Sequence, residues 1–96
     1  MYDIEDDEDA AAKELEKQKK LLDEEMRYVL GSEAGRRFYA RVSISMAGSD
    51  ASTFSTDAAY SAYAQGRRDL GNELRQMARD YDIGLYLKME EEHYGR

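Results

Sequence analysis

The sequence predicts an all-α protein: a helical hairpin or small helical bundle with a long acidic N-terminal helix. Three observations support this fold class. The chain contains no proline, so no ring interrupts a helix. Charged residues make up 36% of the chain, and good helix formers dominate the remainder. Apolar residues recur at helical spacing in several segments. With 96 residues, one domain with a single modest core is expected.

The composition argues against several kinds of site. The chain has no cysteine and one histidine, His93, so neither a disulfide framework nor a thiolate or histidine metal site is expected. We expect no cofactor. No apolar run approaches the roughly 18 residues of a membrane span, and the first residues are acidic where a signal peptide would be basic. The sequence therefore predicts an intracellular protein without a membrane span.

The net charge of −7 is unevenly distributed. Residues 1–31 hold eleven acids and five bases, residues 32–81 six and seven, and residues 82–96 four and two. Because Lys and Arg provide affinity for phosphates, an acidic chain is a poor general binder of nucleic acid. Only the middle segment could serve that purpose.

The acidic run at residues 3–9 has six acids in seven positions. Such self-repelling runs are typical of solvated tails, so residues 1–9 are predicted to be a disordered lead-in to the first helix. The alternative is a functional acidic arm that binds a basic partner or keeps DNA at a distance.

Residues 10–30 are predicted to form an amphipathic helix. Its seam has the 3-4-3-4-3 spacing of a heptad pattern and consists of Ala12, Leu15, Lys19, Leu22, Met26 and Val29. Glu16 with Lys20 and Asp23 with Arg27 add favourable i, i+4 pairs. The seam is short for an independent coiled coil, so it packs either on the rest of the chain or on a partner.

The remaining residues, 31–96, are predicted to form a helical hairpin plus a C-terminal helix. Gly31 and Ser32 fit a helix end followed by an N-cap. A second helix, 33–46, places Ala34, Phe38, Val42 and Met46 on one face, widened by Tyr39. Residues 47–55 have the composition of a loop, with Phe54 as its anchoring side chain.

A third helix is expected to start at a cap on Ser55 or Thr56 and run to about residue 79. Its apolar stripe is Tyr60, Tyr63, Leu70, Leu74 and Met77, interrupted by Arg67. A fourth helix, 83–92, follows a short connection and can bury Ile83, Tyr86, Leu87 and Tyr94. Tyr60, Tyr63 and Tyr86 fit core positions, or alternatively a contact surface, which tyrosine suits well.

Two Gly-Arg-Arg elements, Gly35-Arg36-Arg37 and Gly66-Arg67-Arg68, are the most distinctive motif. The glycine permits close approach of another backbone, and each guanidinium can engage carboxylates, phosphates or carbonyls. In one interpretation Arg67 is buried and bonded to an acid or to carbonyls of another helix. In the other, Arg36, Arg37, Arg67 and Arg68 form a basic patch for DNA or an acidic partner.

No catalytic constellation is predicted. Glu90-Glu91-Glu92-His93 places a potential base beside carboxylates, but neighbours on a helix point in different directions and no nucleophile accompanies them. Gly48-Ser49-Asp50 is a turn without a nearby histidine. We expect a binding protein rather than an enzyme.

Residues 31–96 resemble the Bbp-nineteen-like phage domain, a family of small proteins of short-tailed phages. The resemblance consists of the Gly35-Arg36-Arg37 helix with Phe38, a loop ending in Phe54, and an aromatic-rich helix carrying a Glu-Gly-Arg-Arg element, followed by an acidic amphipathic helix. Here that element reads Gln65-Gly66-Arg67-Arg68, so its acid is missing.

This resemblance implies a minor virion protein from the structural gene module, near the portal, the tail or the internal ejection apparatus. Our leading hypothesis is that the protein is present in many copies as a symmetric homo-oligomer. Its partners would be portal, tail or internal ejection proteins, and it would occupy the virion and, during assembly, the host cytoplasm. The candidate contact residues are Arg36, Arg37, Arg67, Arg68, Tyr60, Tyr63, Leu15, Leu22 and Met26. Two alternatives remain: a DNA-binding or packaging accessory that uses the four arginines, and a regulator whose acidic arm imitates nucleic acid.

Overall fold

In the part of the chain that the structure describes, four α-helices follow one another, and the second continues into a π-helical segment. A computed structural model describes residues 4–48 and 56–95. The elements are α1 (Ile4–Leu30), α2 (Glu33–Ala40), the π segment (Arg41–Met46), α3 (Ala58–Tyr81) and α4 (Ile83–Tyr94). The described residues contain no strand, and the predicted all-α class is confirmed. Phe54, Ser49 and Asp50 lie outside the described residues.

Helix α1 is longer than predicted, because it begins at Ile4 instead of residue 10. Residues 4–9 therefore belong to a helix rather than to a disordered tail. The acids there occupy the N-terminal end of the helix, where its dipole favours negative charge. The predicted pair of Lys20 and Glu16 forms, with 3.6 Å between Nζ and Oε1.

The break between α1 and α2 has the predicted chemistry. The Gly31 amide donates to the Arg27 carbonyl at 2.9 Å, which ends α1. Ser32 adopts an extended backbone conformation, and its hydroxyl accepts a hydrogen bond from the Gly35 amide at 3.0 Å. This is the N-cap geometry that starts a new helix.

The buried face of α2 and the π segment differs from the predicted one. Phe38 and Met46 are exposed, whereas Arg36, Ala40, Ser43 and Ile44 are buried. The i+4 stripe proposed from sequence assumes one continuous α-helix. The π segment winds more loosely, as shown by the bond from the Ala47 amide to the Val42 carbonyl five residues earlier. This shift turns Met46 away from the core.

Helices α3 and α4 both start at aspartate caps. Asp57, rather than Ser55 or Thr56, caps α3 by accepting from the Tyr60 amide at 3.0 Å, and Asp82 caps α4 by accepting from the Leu85 amide at 3.1 Å. A carboxylate at this position also complements the helix dipole. The two helices are separated by one residue, as the predicted short connection requires.

A hydrogen bond supports the predicted hairpin of the second and third helices. The Tyr39 hydroxyl donates to the Leu74 carbonyl at 2.5 Å. Burial raises the pKa of Tyr39 to about 12, because the phenolate would lose hydration there. Tyr39 is thus the side chain that joins α2 to the middle of α3.

The core is small and lies at one end of α1. Its apolar members come from every helix: Met26, Leu30, Ala40, Ile44, Ala78, Tyr86 and Met89. Of the residues predicted to be buried in α4, Tyr86 is buried, but Ile83, Leu87 and Tyr94 are exposed and Met89 is buried instead. A domain of this length would ordinarily have a radius of gyration of about 12–13 Å. Here the radius is 17.8 Å, and the longest dimension is 58 Å.

The shape follows from the position of the core. The side chains of residues 6–25 of α1 are all classed as exposed, so this part of the helix extends away from the core. The N-terminal part of α3 is likewise mostly exposed. Within the described residues, none of the helices combines the length and apolar character that a membrane crossing requires.

Candidate protein-interaction surface

Among the arginines that the structure describes, Arg36 is the one that is buried, and it joins three helices. Its side chain is 6% exposed. Nε and Nη2 donate to the Glu92 carboxylate of α4 at 2.8–3.2 Å, and Nη1 donates to the Leu30 carbonyl at 3.0 Å. The hydrogen bond to Glu92 raises the pKa of Arg36, and burial acts in the opposite direction. Arg36 therefore fastens α2 to α4 and to the end of α1.

Gly35 explains how Arg36 reaches this position. A Cβ built on Gly35 would lie 1.8 Å from the Val29 carbonyl oxygen, so only glycine permits this approach of α2 to α1. The predicted close approach is confirmed here. It is wrong at Gly66, where nothing lies within 4 Å of a built Cβ. The two Gly-Arg-Arg elements are alike in sequence but occupy different environments.

The prediction of a buried Arg67 is wrong, since this residue is exposed. Its guanidinium does bind a backbone carbonyl, that of Met46 at the end of the π segment, and it also lies over the Tyr63 ring with 5.6 Å from Cζ to the centroid. The carbonyl part of the prediction is thus correct. Residues at the end of a helix have carbonyls without intrahelical partners, which explains the attraction.

The four arginines do not form one exposed patch. Arg36 is buried at the start of α2, whereas Arg67 contacts the Met46 carbonyl at the far end of the π segment. Arg37 is exposed and Arg68 is partly buried. A phosphate-binding surface built from all four residues therefore lacks the required geometry.

A second polar cluster joins α3 to α4 around the buried Tyr86 ring. The Tyr86 hydroxyl accepts from Arg75 Nε at 3.2 Å and from Arg79 Nη1 at 3.1 Å, and Arg75 Nη2 donates to Glu90 at 3.1 Å. Burial raises the pKa of the Tyr86 hydroxyl, and Glu90 acts in the same direction. This cluster is a structural clamp.

The acids of α4 acquire their roles through helix geometry. Glu90 and Glu92 are two residues apart and point in nearly opposite directions, so one meets α3 and the other meets α2. The sequence analysis considered this run only as a candidate catalytic group; in the structure, Glu92 pairs with the buried Arg36 and Glu90 with the partly buried Arg75. The signal in the sequence was a run of three acids, 90–92, on a helix that follows two arginine-containing helices.

The uncovered surface of α3 is apolar and aromatic. Tyr60 and Tyr63 are each 60% exposed, and Leu70 and Met46 are also exposed. The core interpretation of Tyr60 and Tyr63 is therefore wrong, and the contact-surface interpretation fits. Tyrosine and arginine are the residues most enriched at the centres of protein interfaces.

The heptad seam of α1 is divided between core and solvent. Met26 is buried, whereas Leu22 and Leu15 are exposed. Intramolecular packing thus accounts for the C-terminal part of the seam and leaves Leu15 and Leu22 uncovered. Of the nine candidate contact residues, Arg36 and Met26 belong to the core.

The geometry defines a class of protein: a small helical bundle with two helical projections that carry exposed apolar side chains. Among residues 4–48 and 56–95, no group of three or more Asp, Glu, His or Cys side chains is arranged to hold a metal ion. No family model, curated protein or solved structure significantly matches the chain.

Proposed function

We propose that this protein is a non-catalytic component of a larger protein assembly and that it binds neighbouring chains through the two projections. The projecting part of α1 supplies the seam around Leu15 and Leu22. The exposed face of α3 supplies Tyr60, Tyr63 and Arg67. The polar clusters around Arg36 and Tyr86 stabilise the body from which both projections extend.

One observation carries this proposal: many of the large apolar side chains that the structure describes are exposed to solvent. Single exposed apolar residues are ordinary on a protein surface, but a set aligned along one helix face is typical of an interaction site. On α3, the exposed side chains of Tyr60, Tyr63 and Leu70 lie on the same side of the helix. Arg67 lies between them and is held over Tyr63, so this face is partly ordered before binding.

The assembly that we propose is a phage virion. This step rests on the resemblance of residues 31–96 to small phage structural proteins, and the helical, arginine- and tyrosine-rich body agrees with it. The partners would then be portal, tail or internal virion proteins. A protein repeated around a symmetric particle needs at least two contact surfaces when each copy touches its neighbours head to tail.

Quantitative mass spectrometry of purified particles tests this proposal. The gene for this protein is deleted from the phage that encodes it. The wild-type protein or a Tyr60→Ser, Tyr63→Ser double variant is then supplied from a second copy of the gene. We expect the wild type in the particles and at least about a tenfold loss of the variant, the effect of removing two central aromatic contacts. Absence of the wild-type protein from purified particles would refute the proposal.

Tyr28→Ser is the matched control. Tyr28 is 86% exposed on α1 and lies away from both the heptad seam and the α3 face, so the same substitution should leave incorporation unchanged. Circular dichroism of each purified variant checks that the body is folded. Equal incorporation of the double variant and the control would show that the α3 face is not the contact.

A further inference from the structure

We propose that the exposed part of the α1 seam binds an amphipathic helix of another protein, and that this helix carries Lys or Arg beside its apolar stripe. This inference rests on the proposed function, because it names the class of partner for one of the two contacts. Three features of α1 support it: the continuity of the seam with the core, the acids that flank the seam, and the positions of the lysines.

The seam of α1 continues from the core into solvent. Met26 is buried in the core. The seam positions that precede it are exposed: Leu22, Lys19, Leu15 and Ala12. The apolar stripe ends there, because the next seam position holds Glu8. The uncovered stripe therefore spans residues 12–22, about 15 Å of helix, and a partner helix against it would supply tertiary packing to this projecting part of α1.

The positions beside the seam carry acids and no base. In a heptad pattern, the two positions that flank the seam meet the paired helix and select its charge. On one side of the α1 seam these positions are Asp9, Glu16 and Asp23, and on the other side they are Ala11, Gln18 and Glu25. All six side chains are exposed. The three acids of the first side recur every seven residues, about 10.5 Å apart along the axis, so a helix with bases at every seventh residue matches them.

The lysines of this part of α1 lie away from the flanking positions. Lys13, Lys17 and Lys20 are on the outer side of the helix, behind the flanking acids as seen from the seam. Lys20 pairs with Glu16 at 3.6 Å, but the two side chains are 77% and 67% exposed, so this pair adds little and leaves the carboxylate accessible to a partner. Lys19 lies on the seam itself and calls for a polar or acidic residue opposite it.

The flanking charges disfavour a second copy of α1 as the partner. In an antiparallel pair each flanking side meets the same side of the other helix, so the acids of residues 9–23 would oppose one another. In a parallel pair this side would meet Ala11, Gln18 and Glu25, none of which is basic. Neither arrangement gives an attraction at the flanking positions, and opposed acids repel. Nucleic acid is disfavoured in the same way, because its phosphates bind Lys and Arg.

Two synthetic peptides of three heptads test the chemistry of the partner. Both carry Leu along the seam, with one central Asn to face Lys19. The basic peptide has Lys at both flanking positions, and the acidic peptide has Glu there. Each labelled peptide is titrated with the full-length protein and followed by fluorescence anisotropy. We expect the basic peptide to bind at least about tenfold more tightly than the acidic one, because several exposed charge pairs each add a small attraction, and higher salt should narrow this difference.

Variants of the protein locate the contact. Glu16→Lys reverses a flanking charge and should weaken the basic peptide about threefold while strengthening the acidic one. Glu24→Lys is the matched control, because it makes the same charge change on the outer side of the helix, and it should have a smaller effect. Leu15→Ser removes a central apolar contact and should weaken both peptides about tenfold. Leu15 is 72% exposed, so circular dichroism should show an unchanged fold.

Four results would overturn this inference. The first is no binding of the basic peptide at up to about 1 mM, the upper end of weak specific affinity. The second is equal affinity for both peptides, and the third is binding that Leu15→Ser leaves unchanged, which would reflect net charge alone. The fourth is a wild-type dimer in sedimentation equilibrium that Leu15→Ser abolishes, because a second copy would then cover the seam.

These results would leave the proposed function standing if the protein is still found in particles through the α3 face. Conversely, a protein that prefers the basic peptide but is absent from particles would refute the virion assignment alone.

Discussion

Removing the Arg36 guanidinium should destabilise the body of this protein more than most other single changes. Arg36→Ala leaves the Glu92 carboxylate and the Leu30 carbonyl, which receive four hydrogen bonds from Arg36, without this donor in a largely buried site. Breaking a buried ion pair by removing one partner costs about 3–5 kcal/mol. A domain of this size has roughly 5–14 kcal/mol of stability in total. The loss should therefore lower the melting temperature by at least about 12 °C.

Urea and thermal unfolding followed by circular dichroism measure this loss. Arg37→Ala is the matched control, because Arg37 is the next residue of the same helix and is exposed; it should change the free energy of unfolding by less than about 0.5 kcal/mol. A double-mutant cycle with Glu92→Ala should give a coupling of at least about 2 kcal/mol. Equal effects of the two arginine variants, or a coupling near zero, would refute this account of the core.

Four further changes probe the fold by denaturation. Gly35→Ala should destabilise severely because its Cβ collides with the Val29 carbonyl, whereas Gly66→Ala should stabilise α3 by up to about 1 kcal/mol; similar values for both would contradict the assigned environments. Ser32→Ala should cost about 1 kcal/mol by removing the α2 cap. Since the pKa of Tyr39 is raised from 10.0 to about 12, stability should fall as pH rises through this interval, and Tyr39→Phe should lose that part of the pH dependence.

Local chemistry made the helix boundaries predictable. Gly31 and Ser32 act through backbone groups within four residues of themselves, so their roles can be seen without knowing the tertiary structure. The single-residue connection at Asp82 is of the same kind. The acidic N-terminus was misjudged because its charge pattern fits a solvated tail and a helix N-terminus equally well. Only the balance of helix propensity and dipole decides between them.

The buried faces were not predictable from apolar spacing alone. The inward side of α2 and of the π segment holds Arg36 and Ser43, polar residues that no hydrophobic pattern would select. Arg36 is satisfied by Glu92, 56 residues away, and Ser43 donates to the Tyr39 carbonyl at 2.7 Å. Burial of such groups depends on partners from distant sequence or on local backbone bonds. The π segment then shifts the register, so Met46 faces away from the core.

The same contrast explains why identical motifs differ in function. Gly35 and Gly66 each precede two arginines, yet one lies against a carbonyl of α1 and the other lies in open space. The first element can therefore bury its arginine, while the second holds Arg67 at the surface over the exposed Tyr63 ring. The one small core of this chain contains the arginine of the first Gly-Arg-Arg element but not that of the second. The copy that the core leaves uncovered is the one available to a partner, and in this protein it lies on the projecting part of α3.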